Sequence, residues 1–283
     1  MLTQSSTYQM NDGHDIPVIG FGTWQTPSGD VAEESVKEAL SAGYRHIDTA
    51  TVYGNEESVG AGIKASDVPR KEIYLTTKLW NSDHTYDKAK AAIDLSLEKL
   101  GVDYLDLYLI HWPNPLEYRD NWQEANRESW RAMEEAVRAG KIRSIGVSNF
   151  KPHHLTELLK TAEIKPAVNQ IYLNPSDLQP EVVQFSKEHN ILLEAYSPLG
   201  TGKIFDVNQL TKLSLKYQKS VAQVVLRWSL QHGFLPLPKS VTPSRIHENI
   251  DIFDFSLSKE DMKVIDGLSG TAGKARDSDT VDF

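Results

Sequence analysis

The chain has 283 residues, 40% of them hydrophobic and 24% charged, and its 30 Lys and Arg against 39 Asp and Glu leave a formal net charge of −9. That balance suits a globular fold with a sizeable core, and it argues against phosphate-neutralising contact with nucleic acid and against docking on anionic lipid. With no cysteine, there is no disulfide, thiolate nucleophile or cysteine-held metal centre.

The first ten residues contain no basic stretch followed by an apolar run, so they do not read as a secretory signal, and no apolar stretch approaches the ~20 residues of a membrane span. The expected compartment is the cytoplasm. An Asp12-Gly13 turn signal inside Tyr8–His14 predicts a β-hairpin. From about Asp30 onward, runs with helical period alternate with short β-branched or aromatic runs that look buried on both faces. In the first helix Ala32, Val36, Ala39 and Leu40 share one face, and Gly43 supplies a stop. The expected strands are Val18–Phe21, Tyr44–Ile47, Lys71–Thr77, Tyr104–Ile110, Ile142–Val147, Ala167–Gln170, Ile191–Ala195 and Phe234–Leu237. Eight strands separated by helices predict a single α/β domain over residues 1–283. Its expected fold is a (β/α)8 TIM barrel with the N-terminal hairpin closing its bottom.

In a parallel barrel the working side chains lie where strands end. The residues that follow the apolar runs are Trp24, Asp48, Lys78, His111, Ser148 with Asn149, Asn169 with Gln170, Tyr196 with Ser197, and Lys239 with Ser240. Nearly every strand thus ends in a polar or ionisable side chain, whereas a purely structural pattern would scatter such residues between both strand ends. Asp48, Lys78 and His111 come from three successive strand ends, and Tyr53 follows Asp48 by five positions. If they converge, they form a proton-donating site. Tyrosine titrates near pH ~10 and needs a nearby cation to lower its pKa, which Lys78 can supply. Lys78 in turn needs a counter-ion, which Asp48 can be, and His111 can donate to an oxygen on which negative charge develops. Each residue alone has an ordinary alternative, a packed Tyr or a satisfied core His.

Several segments resemble those of aldo-keto reductases: Gly20–Trp24, Gly43–Ala50 through Tyr53–Glu56, Lys78–Trp80, Leu109–Pro113, Gly146–Phe150, Asn169-Gln170, Tyr196–Gly200 and Lys239–Val241. They run in that family's order from about Tyr8 to about Leu268, and are most similar to the bacterial branch that includes the 2,5-diketo-D-gluconate reductases. The resemblance implies an enzyme that uses NADPH/NADP+ and reduces aldehydes, with ketones or dicarbonyls as further substrates, to alcohols. It implies Asp48, Tyr53, Lys78 and His111 as the catalytic tetrad, with Tyr53 the general acid. It also implies a cofactor seat of Thr23, Trp24, Asp48, Ser148, Asn149, Gln170, Tyr196, Ser197, Leu199, Gly200, Lys239, Ser240 and Val241. In that seat Tyr196 stacks on the nicotinamide, and Ser148, Asn149 and Gln170 hold its carboxamide.

Thr242 and Pro243 open a helix on which Arg245, Glu248 and Asn249 share one face. Beside that helix start, Lys239 and Arg245 suit the 2′-phosphate of NADP, while Glu248 and Asn249 suit the adenine; the plainer alternative is a solvated basic pair. Trp24, Trp80 and Trp112, with Tyr53 and His111, are expected to wall the substrate pocket, against the alternative of core aromatics for Trp80 and Trp112. Specificity is expected from the loops 113–123 and 201–206 and the tail 272–283, where Leu116, Tyr118, Trp122, Arg276 and Phe283 could meet a substrate or simply pack.

Other signals carry less. Gly60-Ala61-Gly62-Ile63-Lys64-Ala65 matches a loose dinucleotide fingerprint but follows a helical stretch, so it reads as close helix packing. Gly146–Phe150 lacks the last glycine of a nucleophile elbow. The pair His153-His154 has no carboxylate at zinc-helix spacing and reads as a solvated helix start, so no metal is expected. Two other functions fit the barrel: a nucleotide-binding sensor or scaffold with little turnover, and a Schiff-base aldolase using Lys78, which a charged pair with Asp48 would suppress. A small-molecule carbonyl is the expected partner, with no nucleic acid, no membrane, and a monomer as the default state.

Overall fold

Thr7–Gln9 (β1) and Asp15–Pro17 (β2) pair antiparallel, with Tyr8 opposite Ile16, in a computed structural model that describes residues 2–283. Gly13, at φ +86°, lets the intervening turn close so that the Met10 N–H reaches His14 O at 2.9 Å. The hairpin lies across the N-terminal ends of the barrel strands. Asn11 Nδ2 donates to Pro166 O (2.9 Å), and Met10 and Ile16 pack with Tyr74, Leu107, Ala167 and Leu235.

Eight parallel strands follow: β3 (Phe21–Gly22), β4 (His46–Asp48), β5 (Tyr74–Leu79), β6 (Leu105–Ile110), β7 (Ile142–Ser148), β8 (Val168–Tyr172), β9 (Leu192–Tyr196) and β10 (Leu235–Leu237), hydrogen-bonded in sequence order. Hydrogen bonds from the Gly20 and Gly22 N–H groups to Pro236 O (3.1 Å) and Pro238 O (3.0 Å) join the first strand to the last and close the barrel. Around it run α1 (Asp30–Ala42), α2 (Glu56–Ala65), α3 (Tyr86–Leu100), α4 (Trp122–Arg138), α5 (Pro152–Leu159), α6 (Pro180–Glu188), α7 (Asn208–Tyr217), α8 (Val221–Gln231), α9 (Pro243–Ile250) and α10 (Lys259–Asp266).

The α1 face foreseen from its spacing is the buried one, and Gly43 ends the helix at φ +105°. Gly60 and Gly62 lie inside α2, where a Cβ would stand 2.2 Å from Leu100 O and 2.6 Å from Glu33 O. They are packing glycines that let α2 press on α3 and α1. The third barrel strand departs from expectation: Arg70–Glu72 forms a 3-10 turn, with Ile73 N–H bonded to Arg70 O, so β5 starts later and Lys78 lies within it. Large apolar side chains from strands and helices fill the shell between the two layers, including Phe21, Tyr44, Leu75, Tyr108, Trp130 and Phe150. No helix among the described residues is long and apolar enough to cross a membrane.

Candidate active site

Asp48 is the last residue of β4, Lys78 the fifth of the six residues of β5, and His111 follows β6 directly. Parallel register sets these neighbours side by side, and a 3-10 turn over Thr51–Tyr53 folds Tyr53 back over them. Lys78 Nζ donates to Asp48 Oδ1 at 2.7 Å, to Thr49 O at 2.9 Å and to Tyr53 Oη at 3.4 Å. The Tyr53 and His111 rings meet edge to face, with centroids 5.9 Å apart. The four residues singled out in the sequence therefore form one cluster.

Burial opposes the charge on Lys78, but Asp48, Tyr53 and Glu194 outweigh it and hold the ammonium above its ordinary pKa. An ammonium kept charged is a poor amine nucleophile, which removes the basis for a Schiff-base aldolase. Tyr53 corrects an expectation. Burial raises its hydroxyl above the ordinary value of 10, and Lys78, although it pulls the other way, does not reverse that. The phenol therefore stays protonated at neutral pH. Burial, then the Lys78 charge, push His111 well below 6.5, so its imidazole is neutral, and neither ring nitrogen has a hydrogen-bond partner among the described residues.

Behind this cluster lies an arrangement that the strand-end reading missed. Gln170 Nε2 donates to Asp48 Oδ2 and to Glu194 Oε2, both at 2.8 Å, bridging β4 to β9 through the barrel interior. Glu194 is fully buried, with Oε1 3.7 Å from His46 Nε2, which itself contacts Thr76 Oγ1 at 2.9 Å. Burial, followed by the Asp48 charge, pushes the Glu194 carboxyl up to about 8; burial and Lys78 push His46 down to about 3. Alternation along Ile191–Ala195 held the one available signal, a carboxylate in an otherwise apolar strand.

The residues expected at a cofactor lie along one arc of the rim. Ser148 Oγ donates to Gln170 O (2.7 Å), Asn149 Nδ2 to His111 O (3.0 Å), and Tyr196 Oη to Asn149 Oδ1 (2.8 Å). Asn149 and Ser197 leave β7 and β9 at φ +62° and +47°, a backbone region that non-glycine residues seldom occupy and that recurs at functional sites. Gly200 also has positive φ and lies close to Ala272, while Leu199 packs against the core. Thr23, like Ser148, is fully buried, with its hydroxyl committed to Asp48 O (2.9 Å). Lys239 and Arg245 have no carboxylate partner within 4.0 Å among the described residues, and Val241, Arg245 and Glu248 are exposed whereas Ser240 and Asn249 are buried. Thr242 sits at the α9 cap position, but its side chain makes no cap bond; its N–H is instead held by Ser240 Oγ at 3.0 Å.

Trp80 and Trp112 are brought together by the tail. Phe283 stacks on Trp80 (centroids 5.8 Å apart) and meets Trp112 edge-on (5.2 Å), while Trp80 packs edge-on against His111 (5.3 Å). Trp24 stays 46% exposed. Tyr118 is buried under a Lys88 ammonium 2.7 Å from its hydroxyl, Leu116 is exposed but bonded through its N–H to Phe283 O (3.0 Å), and Arg276 faces the Phe283 ring. Trp122 packs against His154 instead.

The histidine pair also needs correcting: His154 is buried, and its carboxylate partner comes from the tail, 125 positions away. Asp279 Oδ1 lies 2.8 Å from His154 Nε2 and 3.1 Å from His153 Nε2. Ligand-type atoms of all three fall within 4.8 Å of one another. His154 Nδ1 accepts the Lys151 N–H at 3.1 Å, however, which puts the proton of the neutral ring on Nε2, facing Asp279. A metal-binding imidazole keeps a lone pair toward the ion and donates from its other nitrogen. His154 does the reverse, so this cluster fastens the tail.

The closed barrel and its strand-end cluster define an oxidoreductase of the aldo-keto reductase type, and residues 18–269 match the model of the Aldo/keto reductase family. The chain belongs to that family. It is 51% identical over 263 residues to the glyoxal reductase of Bacillus subtilis (strain 168), covering 93% of this chain and 92% of the relative. Among solved structures it is similar to an aldo/keto reductase from Brucella melitensis (TM-score 0.89, 48% identity, covering 95% of this chain and 100% of the other). It is similar too to an aldo-keto reductase from Bombyx mori in complex with NADP (TM-score 0.85, 39% identity, covering 95% and 94%).

Proposed function

We propose that this chain reduces aldehydes, with dicarbonyls and ketones as further substrates, to alcohols at the expense of NADPH, with Tyr53 as general acid. The observation that carries this reading is the meeting of a protonated Tyr53, an ammonium at Lys78 fixed by Asp48, and a neutral, unpaired His111 beneath aromatic walls. The name of the Bacillus subtilis relative, glyoxal reductase, favours small dicarbonyls within that class.

The residues present fit the cofactor. Gln170 Oε1 takes no hydrogen bond among the described residues, and the two cations Lys239 and Arg245, without carboxylate partners, flank the start of α9, where a helix N-terminus favours a phosphate. Ser148, Asn149 and Gln170 would hold the nicotinamide end, Tyr196 would offer it a face, and Lys239, Ser240, Val241, Arg245, Glu248 and Asn249 would hold the adenosine end. Leu199, Gly200 and Ser197 would follow the linking phosphates. When bound, NADPH supplies the hydride that reduces the carbonyl carbon. Tyr53 Oη gives its proton to the carbonyl oxygen and regains one from water. Lys78, held by Asp48, stabilises the phenolate formed at that moment, and His111 donates a hydrogen bond that aligns the carbonyl oxygen. Trp80, Trp112 and Phe283 exclude water from the reacting atoms, and Trp24 stands at the rim.

We take the chain as one domain acting as a monomer; sedimentation checks the latter. The enzymatic test is NADPH oxidation over a panel of aldehydes, ketones and dicarbonyls, with NADH and Tyr53→Phe in parallel. Tyr53→Phe is expected to lose about 100-fold or more in turnover while still binding NADPH. A wild type that binds NADPH yet turns over nothing on the panel would favour a sensor or scaffold.

A further inference from the structure

Glu194 has no part in the proton transfer proposed above, yet it is a fully buried acid in direct contact with a residue expected to hold the cofactor. A primary amide has two N–H donors and one carbonyl acceptor, and rotation by 180° exchanges them. In Gln170 both donors are engaged, by Asp48 Oδ2 and Glu194 Oε2 at 2.8 Å each. The flipped amide would place its oxygen against two carboxyl oxygens.

We propose that Glu194 is a positioning residue for the nicotinamide: together with Asp48 it occupies both donors of Gln170 and so leaves Gln170 Oε1 as the group presented to the cofactor. This inference rests on the NADPH reading. A carboxamide can meet a fixed Oε1 only through its own N–H2 group, so one rotamer of the nicotinamide substituent is favoured. That preference reaches the ring, because the carboxamide and ring are conjugated.

The geometry tolerates either protonation state of Glu194. Oε1 has no hydrogen-bond partner and faces His46 Nε2 at 3.7 Å, so it is the oxygen free to carry a proton, while Oε2 accepts from Gln170 either way. Glutamine at 194 keeps an acceptor oxygen for Gln170 and turns its N–H2 toward His46. Methionine fills similar volume without an acceptor and frees one Gln170 donor.

The test measures dissociation constants of two ligands by fluorescence titration of the full chain: NADPH, and 2′-phospho-ADP-ribose, which has no nicotinamide. Glu194→Met is expected to bind NADPH about 10-fold more weakly, the loss of roughly one hydrogen bond, with 2′-phospho-ADP-ribose unchanged. Glu194→Gln is expected to stay within about 2-fold of wild type for both. If Glu194→Met does not fold, Glu194→Leu, which also lacks an acceptor, serves in its place and is expected to show the same selective loss. Wild-type NADPH affinity in the apolar variants at 194, equal weakening of both ligands, or a Glu194→Gln protein as impaired as those variants would overturn the proposal alone. A wild type that binds neither ligand would overturn the NADPH reading and the proposal with it.

Discussion

Lys78 Nζ stands 2.7 Å from Asp48 Oδ1, with the two side chains 0% and 4% exposed. A buried pair of this kind gives little net stability over an apolar pair, but removing one partner leaves an uncompensated charge in the interior. Asp48→Ala strands both Lys78 and one Gln170 donor. It is expected to cost about 3–5 kcal/mol of unfolding free energy, read from urea denaturation, alongside any loss of activity. A shift below about 1 kcal/mol would mean that water or a rearranged Lys78 replaces the carboxylate.

His111 yields a prediction about pH. Burial and the Lys78 ammonium hold its pKa well below 6.5, so the imidazole remains neutral through the range where an exposed histidine titrates. Tyr53, raised above 10 by burial, keeps its proton there as well. The rate of carbonyl reduction is therefore expected to show no inflection centred near pH 6.5 when kcat is followed from pH 5.5 to 7.5. An inflection there that disappears in His111→Gln would show that His111 titrates at its ordinary value and enters the reaction charged.

The glycine pair in α2 separates two readings of one motif. A Cβ on Gly60 would stand 2.2 Å from Leu100 O and 2.9 Å from Leu100 Cα, both backbone atoms at the end of α3 that cannot turn aside. Gly60→Ala is expected to destabilise the chain by about 1–3 kcal/mol as α2 and α3 are forced apart, visible as a lower Tm. Its NADPH dissociation constant, measured well below that Tm, should equal that of wild type. A selective loss of NADPH affinity without loss of stability would return the segment to a phosphate-binding role.

What could be read in the sequence was local or periodic. Gly43, the Asp12-Gly13 turn and the α1 face depend on neighbouring residues, and the positions of Asp48 and His111 follow from where apolar runs stop, whereas β5 runs one residue past Lys78. Relations formed only by closing the barrel were not legible. Gln170 meets Asp48 across 122 positions, and Asp279 meets His154 across 125, with no spacing rule linking either pair. The direction of the Tyr53 shift was likewise out of reach, because it depends on how far burial outweighs a cation whose presence the sequence does suggest. Glu194 was hidden differently, inside a strand whose apolar neighbours drew attention to the residue after it.

Glu194 also makes stability depend on pH in a direction unusual for a carboxyl group. In the folded chain its pKa is pushed up to about 8, against an ordinary 4.5. The unfolded chain therefore gives up this proton first. The contribution of the group to stability is fully present below pH 4.5 and is lost as pH rises through 8. Among the charged and titratable groups facing it, His46 on β4 is neutral above about 3, and Lys78 on β5 has its pKa raised, so neither changes state in that interval; Asp48 supplies the negative charge that deepens the effect. Glu194→Gln cannot titrate and resembles the protonated acid. The Tm of this variant minus that of wild type is expected to be near zero or negative at pH 5, to grow towards pH 8 at a limiting slope of about 1.4 kcal/mol per pH unit in stability, and to level off above it. A Tm difference independent of pH over this range would show that Glu194 ionises near its ordinary value, with water or a shifted His46 taking up the charge.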